Sequence, residues 1–182
     1  MLLLFGAIGI SVLAGYAAGG RLRRFESAHI RLWWLVLLGL ALQEAPVGSH
    51  RAAMALLMVS YVTLVIFATA NLRCAGFGLI LLGLALNWLV IAANGGMPVS
   101  GDALARSGQA EALQLLETEG GAKHHLSTAE DNFIFLADVI PVGGPLAQVV
   151  SAGDILVYAG IGWYIVATMR GPRDEREDEG SI

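Results

Sequence analysis

Charge is what this sequence has least of. Only 14% of its 182 residues are Asp, Glu, Lys or Arg, while 56% are hydrophobic; a soluble domain carries about 25% charged residues. The deficit is concentrated in long uncharged runs, and the mean hydropathy is +0.67, so the composition reads as an integral membrane protein rather than a greasy soluble core. Cysteine is almost missing too. With Cys74 alone, no intrachain disulfide and no thiolate metal cluster can form, and a small buried thiol at the end of an apolar run is the simple reading. The start, Met1-Leu2-Leu3-Leu4, lacks the basic stretch of a cleavable signal; its positive charges follow the apolar run, the order of an uncleaved anchor with its N-terminus outside. The net charge of −4 is unremarkable, and neither a cofactor nor a nucleic-acid partner is expected.

What is present is a series of apolar spans. Residues 2–20 hold 19 residues without a charge before Arg21, Arg23 and Arg24, about 28 Å of helix against a hydrocarbon core of roughly 30 Å. Gly15 and Gly19 in this run make one GxxxG, a spacing that lets a second helix approach closely. A weaker span covers about 28–45; Trp33-Trp34 sit near one interface, and Glu44 lies near the other end, where a bundle-facing carboxylate would need a partner. Residues 52–70 and 74–93 are the clearest spans, and the short Asn71-Leu72-Arg73 link makes them antiparallel neighbours. Asn87 lies inside the fourth span, where an amide seeks an interhelical hydrogen bond. The fifth span is about 149–169, with Asp154 near its start and Trp163-Tyr164 near its end; the tail from 170 to 182 reads as disordered and cytoplasmic.

Charge bias sets the expected orientation. With the N-terminus outside, eight arginines fall on the inner side and only Arg51, Arg106 and Lys123 on the outer, a positive-inside distribution. The insert 95–148 between spans four and five then faces outward. From Gly95 to Ser151 the chain carries seven carboxylates against two basic residues. A structureless loop of this length is unusual, so the insert should hold structure of its own. Asp102 to Glu119 has apolar residues at helical spacing and predicts one amphipathic helix lying along the interface. Phe133 to Ile140 is too short to cross a bilayer and predicts a re-entrant or docking element carrying Asp138, whose burial would raise its pKa. His124-His125 do not share one metal as an i, i+4 pair does, so structural or hydrogen-bonding histidines are expected and no metal site is read. Ser151 and Asp154 resemble a capping box at the start of the last span, with Asp in the usual Glu position and a strained return bond.

Two resemblances emerge from these motifs. Asn94-Gly-Gly-Met-Pro-Val-Ser100, His124-His-Leu-Ser-Thr128, Phe135-Leu-Ala-Asp-Val-Ile-Pro141 and Ser151-Ala-Gly-Asp154 together resemble a family of small bacterial membrane proteins of unknown function, over nearly the whole chain. That resemblance implies a multi-span bacterial protein and no particular activity. The outer start of the last helix is also locally similar to lipoprotein signal peptidase, a membrane aspartyl protease; Asp154 matches its second aspartate in position, and Asp138 is the candidate for the first. No Asn-x-x-Asp-Arg occurs here, Gly153 replaces Ala, and five spans replace four.

The sequence thus predicts an all-α membrane protein of five spans in a bacterial cytoplasmic membrane, with Asn87, Asn94, Asp138, Asp154, Glu44, Ser151 and His124 or His125 around an outward-facing polar pocket. The pocket would bind a small solute, a lipid head group or a partner subunit. Five spans without a duplicated half point to self-association or a partner membrane subunit. The rival readings are an enzyme using Asp138 and Asp154 as a catalytic pair, and an accessory subunit whose motifs only cap helices.

Overall fold

The computed structural model describes residues 2–171. Helices dominate: α1 (Leu2–Ala17), α2 (Trp34–Glu44), α3 (His50–Ala70), α4 (Phe77–Asn94), α5 (Gly101–Ser107), α6 (Ala110–Thr118) and α7 (Ala152–Arg170). Three of them, α3, α4 and α7, are long and apolar enough to cross a membrane, while α1 and α2 are apolar but shorter. Large apolar side chains stand exposed on their flanks, among them Phe5, Leu13, Leu37, Val59, Ile66 and Trp163. That is the pattern of a surface facing lipid rather than water. Neighbour packing runs α1–α7–α4–α3–α2, so the last helix lies between the first and the fourth.

Helix ends differ from the expected spans for local reasons. The first helix stops at Ala17 because Gly19 turns left-handed at φ 75° and the chain folds back on α7. Gly15 and Gly20, not Gly19, make the close approach: a Cβ on either would strike Met169, a fully buried side chain. The second span is no continuous helix over 28–45. Leu32 sits at φ 55°, and regular helix begins only at Trp34. Non-helical backbone is tolerated in an apolar setting only when its polar groups are partnered. Buried Asn71 does this for Arg31, accepting from its N–H and donating to its carbonyl, both at 2.8 Å. Residues 149 and 150 belong to a strand rather than to the fifth helix, which starts at Ala152 and includes Arg170. Beyond Gly171, the tail expected to be disordered lies outside the described residues.

The contact between α4 and α7 depends on glycine. A Cβ on Gly83 would collide with the Gly153 carbonyl oxygen, and one on Gly160 would lie 2.6 Å from that of Gly76. Two glycines on each side of the contact, seven residues apart, therefore let the backbones touch.

The segment from 95 to 151 is built from four short strands, β1 (Met97–Val99), β2 (His124–Leu126), β3 (Ile140–Val142) and β4 (Gln148–Val150), with α5 and α6 between the first two. Strand β1 pairs parallel with β2, and β3 pairs antiparallel with β4. The single helix expected over 102–119 is two helices. Gly108, at φ 87°, ends α5 with bonds back to Ala105 and from Gln109 to Leu104, a left-handed C-terminal turn that only a residue without a Cβ adopts cheaply. The docking element is a single 3-10 turn, Ile134–Leu136, followed by extended chain. Leu136, Ala137 and Val139 pack against Leu57 of α3, Val90 and Ile91 of α4, and Met97; no part of this element is a helix entering between the others.

Candidate functional site

The motif Asn94 to Ser100 is a helix-to-strand-to-helix junction in which each residue has a separate task. Gly95, at φ 65°, ends α4, and Gly96 returns an N–H to Ile91. Gly96 also lies so close to His125 that a Cβ would come within 3.1 Å of Nδ1. Met97-Pro98-Val99 form β1, and Ser100 caps α5 by accepting from Ala103 N–H at 3.2 Å. The free edge of β1 then holds residue 138: Asp138 N–H donates to the Pro98 carbonyl at 3.1 Å, and its own carbonyl accepts from Ser100 N–H at 2.9 Å. Two backbone bonds thus fix the main chain from which the Asp138 carboxyl projects.

Strand geometry also separates the two histidines. Successive side chains of a strand point to opposite faces, which is a larger divergence than the helical spacing assumed from sequence. His125 Nε2 meets Asp131 Oδ1 at 2.9 Å, while Asp131 Oδ2 accepts from Thr128 N–H at 2.7 Å. Burial opposes ionisation of Asp131, but bonds from His125 and Thr128 outweigh it and hold its carboxyl below the ordinary range. His124 turns the other way, its Nε2 3.9 Å from Asp138 Oδ2, too far for a hydrogen bond. Loss of solvation on its inner side, reinforced by the Lys123 charge, lowers its pKa although 54% of the side chain stays accessible.

At the start of α7 a closed ring of bonds joins three residues. Asn87 Nδ2 donates to Asp154 Oδ1 at 2.8 Å, Ser151 Oγ donates to Asn87 Oδ1 at 2.9 Å, and Asp154 N–H donates to Ser151 Oγ at 2.9 Å. Ser151 N–H returns to Asp154 Oδ2 at 3.0 Å. The capping box is therefore complete, and the shorter Asp makes its return bond at ordinary length rather than under strain. Asn87 supplies the interhelical bond expected of a buried amide.

These pieces border one cavity of about 240 Å³. Its polar lining comprises Gln43 and Glu44 from the end of α2, Tyr61 from α3, Asn87 from α4, Lys123 and His124 from the strand region, and Asp138 with Asp154. Gln43 is anchored from outside the cavity by its bond to Ser60, which in turn donates to the Gly39 carbonyl. Asp138 is the exceptional member: its Oδ1 is buried without any partner. Burial, assisted by the negative charge of Asp154, pushes its pKa up to about 8.

Of the residues expected at a pocket, Glu44, Asn87, His124, Asp138 and Asp154 do line it. Ser151 lies behind Asn87 and acts through it. Asn94 and His125 are elsewhere: Asn94 ties the end of α4 to the backbone of Asn132, and His125 is bound to Asp131. Tyr61, Gln43 and Lys123 were not legible as site residues, because nothing in their sequence surroundings sets them apart from other span or loop residues. Among the described residues, no group of three or more His, Cys, Asp or Glu is placed to hold a metal ion.

Comparison with known proteins gives a family and no activity. Residues 27–166 match the family described as "Family of unknown function (DUF5317)". No curated protein and no solved structure matches the chain.

Proposed function

The chain belongs to the DUF5317 family of unknown function, and we propose from the geometry of this member that it is a multi-span membrane protein whose outward-facing cavity binds a small polar solute, or the head group of a larger molecule, through a cationic donor such as an amine. The observation carrying this reading is the lining itself. Three carboxyl groups, Glu44, Asp138 and Asp154, meet a single lysine around about 240 Å³, and one carboxyl oxygen of Asp138 is buried with no partner. A buried acceptor without a partner costs free energy that an incoming donor would recover. Pockets for drug-sized ligands measure about 300–1,000 Å³, so this cavity suits a smaller group.

An aspartyl catalytic pair has one feature in its favour: Asp138 and Asp154 line the same cavity. Yet both oxygens of Asp154 already accept hydrogen bonds, from Asn87 and from the Ser151 backbone. That leaves Asp138 as the carboxyl free to exchange a proton or receive a ligand, and binding as the better account.

In the same reading α1 and α2 complete a five-rod bundle in a bacterial cytoplasmic membrane, the N-terminus outside and residues 95–148 on the outer face. Positive-inside bias supports that orientation. Glu130→Cys, at an exposed position, combined with Cys74→Ser, should react with an impermeant maleimide in intact cells; reaction only after lysis would reverse the orientation. Binding is tested by titrating ethylamine into the protein in phosphatidylcholine nanodiscs. Wild type should bind and Glu44→Gln should bind at least threefold more weakly, and no detectable binding by wild type would remove the amine site.

A further inference from the structure

A second cavity, about 280 Å³ in volume, lies against the first. Its apolar walls are Val99, Leu104, Ala112, Leu115, Leu116 and Val149, from β1, the two short helices and β4, and Gln109 and Gln148 stand among them. His124 and Asp138 line both cavities. The two spaces therefore differ in balance and share one partition: all the carboxyls but that of Asp138 stand on the first side only, while leucine, valine and alanine make most of the second lining, with Gln109 and Gln148 among them.

That partition is weakly tied. His124 and Asp138 approach to 3.9 Å without a hydrogen bond, so parting them breaks none. Left empty, the chamber forfeits contacts along its apolar lining. At its edge Leu115 is 51% exposed, leaving an apolar rim toward the surroundings. The space corresponds to on the order of nine groups of water size, at about 30 Å³ each.

Resting on the amine-binding reading above, we infer that the occupant is a single-chain amphiphile, whose amine head lies among Glu44, Asp138 and Asp154 and whose apolar chain passes His124 into the chamber beneath α6. A polar solute alone leaves the mainly apolar chamber without an occupant, and an apolar molecule alone leaves Asp138 Oδ1 without a donor. One molecule with both parts satisfies both.

The test is a chain-length series in phosphatidylcholine nanodiscs, each titration corrected against empty discs. Hexylamine should bind at least tenfold more tightly than ethylamine, because each methylene moved out of water strengthens binding severalfold. Hexanol, with the chain but no charge, should bind more weakly than hexylamine. Ala112→Leu, which fills the apolar chamber, should collapse the hexylamine-to-ethylamine ratio toward one. Should that variant fail to fold, the series on wild type still decides. Equal affinity for ethylamine and hexylamine would overturn the amphiphile and leave the amine site standing. Absence of ethylamine and hexylamine binding together would overturn the amine site itself. Competition of hexylamine by added lysophosphatidylethanolamine, a lipid with one chain and an amine head, would identify a membrane lipid as the source of the amphiphile, and its absence would identify a free single-chain amine.

Discussion

Asn87 and Asp154 are joined at 2.8 Å across the α4–α7 contact, and the bond links the interior of one apolar helix to the first turn of another. Asn87 is 3% exposed and Ser151 is wholly buried, so each polar atom of the ring depends on the other members. Ser151→Ala removes the N-cap oxygen and leaves the Asn87 carbonyl without a donor. A lost cap costs about 1 kcal/mol and an orphaned buried acceptor about 1–3 kcal/mol. Asp154→Asn cannot accept from both Asn87 and the Ser151 N–H, since one of its two atoms is now a donor. Both variants should unfold at lower temperature in detergent, by an amount corresponding to about 1–3 kcal/mol, and Asp154→Asn with wild-type stability would show that this ring does not hold the helices together.

Glycine at the same contact should be as sensitive. A Cβ on Gly153 would collide with Asn87 Oδ1, and one on Gly83 would meet both the Gly153 carbonyl and Val157. The nearest of these neighbours are a backbone carbonyl and a bonded amide and cannot step aside, so Gly83→Ala and Gly153→Ala should cost about 1–3 kcal/mol or more through forced separation of α4 and α7. Gly9 on α1 faces open space, with no atom within 4 Å of where a Cβ would stand. Gly9→Ala is the control, expected to be neutral or stabilising by up to about 1 kcal/mol. Thermal unfolding of the three variants side by side separates close packing from ordinary helix propensity; equal behaviour of Gly9→Ala and Gly83→Ala would deny the close approach.

Much of this was legible because hydrophobic runs and helix punctuation are local signals. The α3 and α4 runs show in composition, and Ser151-x-x-Asp154 shows in spacing. The interior of 95–151 was less so. Its strands are three residues each, too short for alternation to register against a helical pattern. Gly108 broke a helix that the leucine spacing continued through, since a left-handed turn at one residue outweighs periodicity over the residues that follow. The pairing of Asp138 with β1 joins residues about forty positions apart through backbone atoms alone, and backbone bonds leave no mark on residue choice. Tyr61 and Gln43 enter the cavity by the rotation of their helices, a property set by which neighbours each helix packs against.

Asp138 gives the prediction with the clearest sign. Its carboxyl has a pKa pushed up to about 8 in the folded protein by burial and by Asp154, against about 3.9 in an unfolded chain. Between those values the folded state binds the extra proton, so stability falls as pH rises from about 4 to about 8 and levels off above. Each unit of difference is worth about 1.4 kcal/mol, making this one residue a burden of a few kcal/mol at pH 9. Asp138→Asn keeps the shape of the protonated acid and cannot ionise. It should therefore unfold closer to the wild-type temperature at pH 5 than at pH 9, where it should unfold distinctly above it. Ligand binding should show the opposite trend in the wild type: an alkylamine stays charged to about pH 10, as lysine does, and must displace the proton of Asp138 to pair with it. Ethylamine affinity should rise between pH 6 and pH 8, by at most about tenfold per unit, and stay flat in Asp138→Asn. A wild-type unfolding temperature that tracks the variant at both pH values would mean that Asp138 is solvated, and the cavity would lose the buried acceptor on which amine recognition depends.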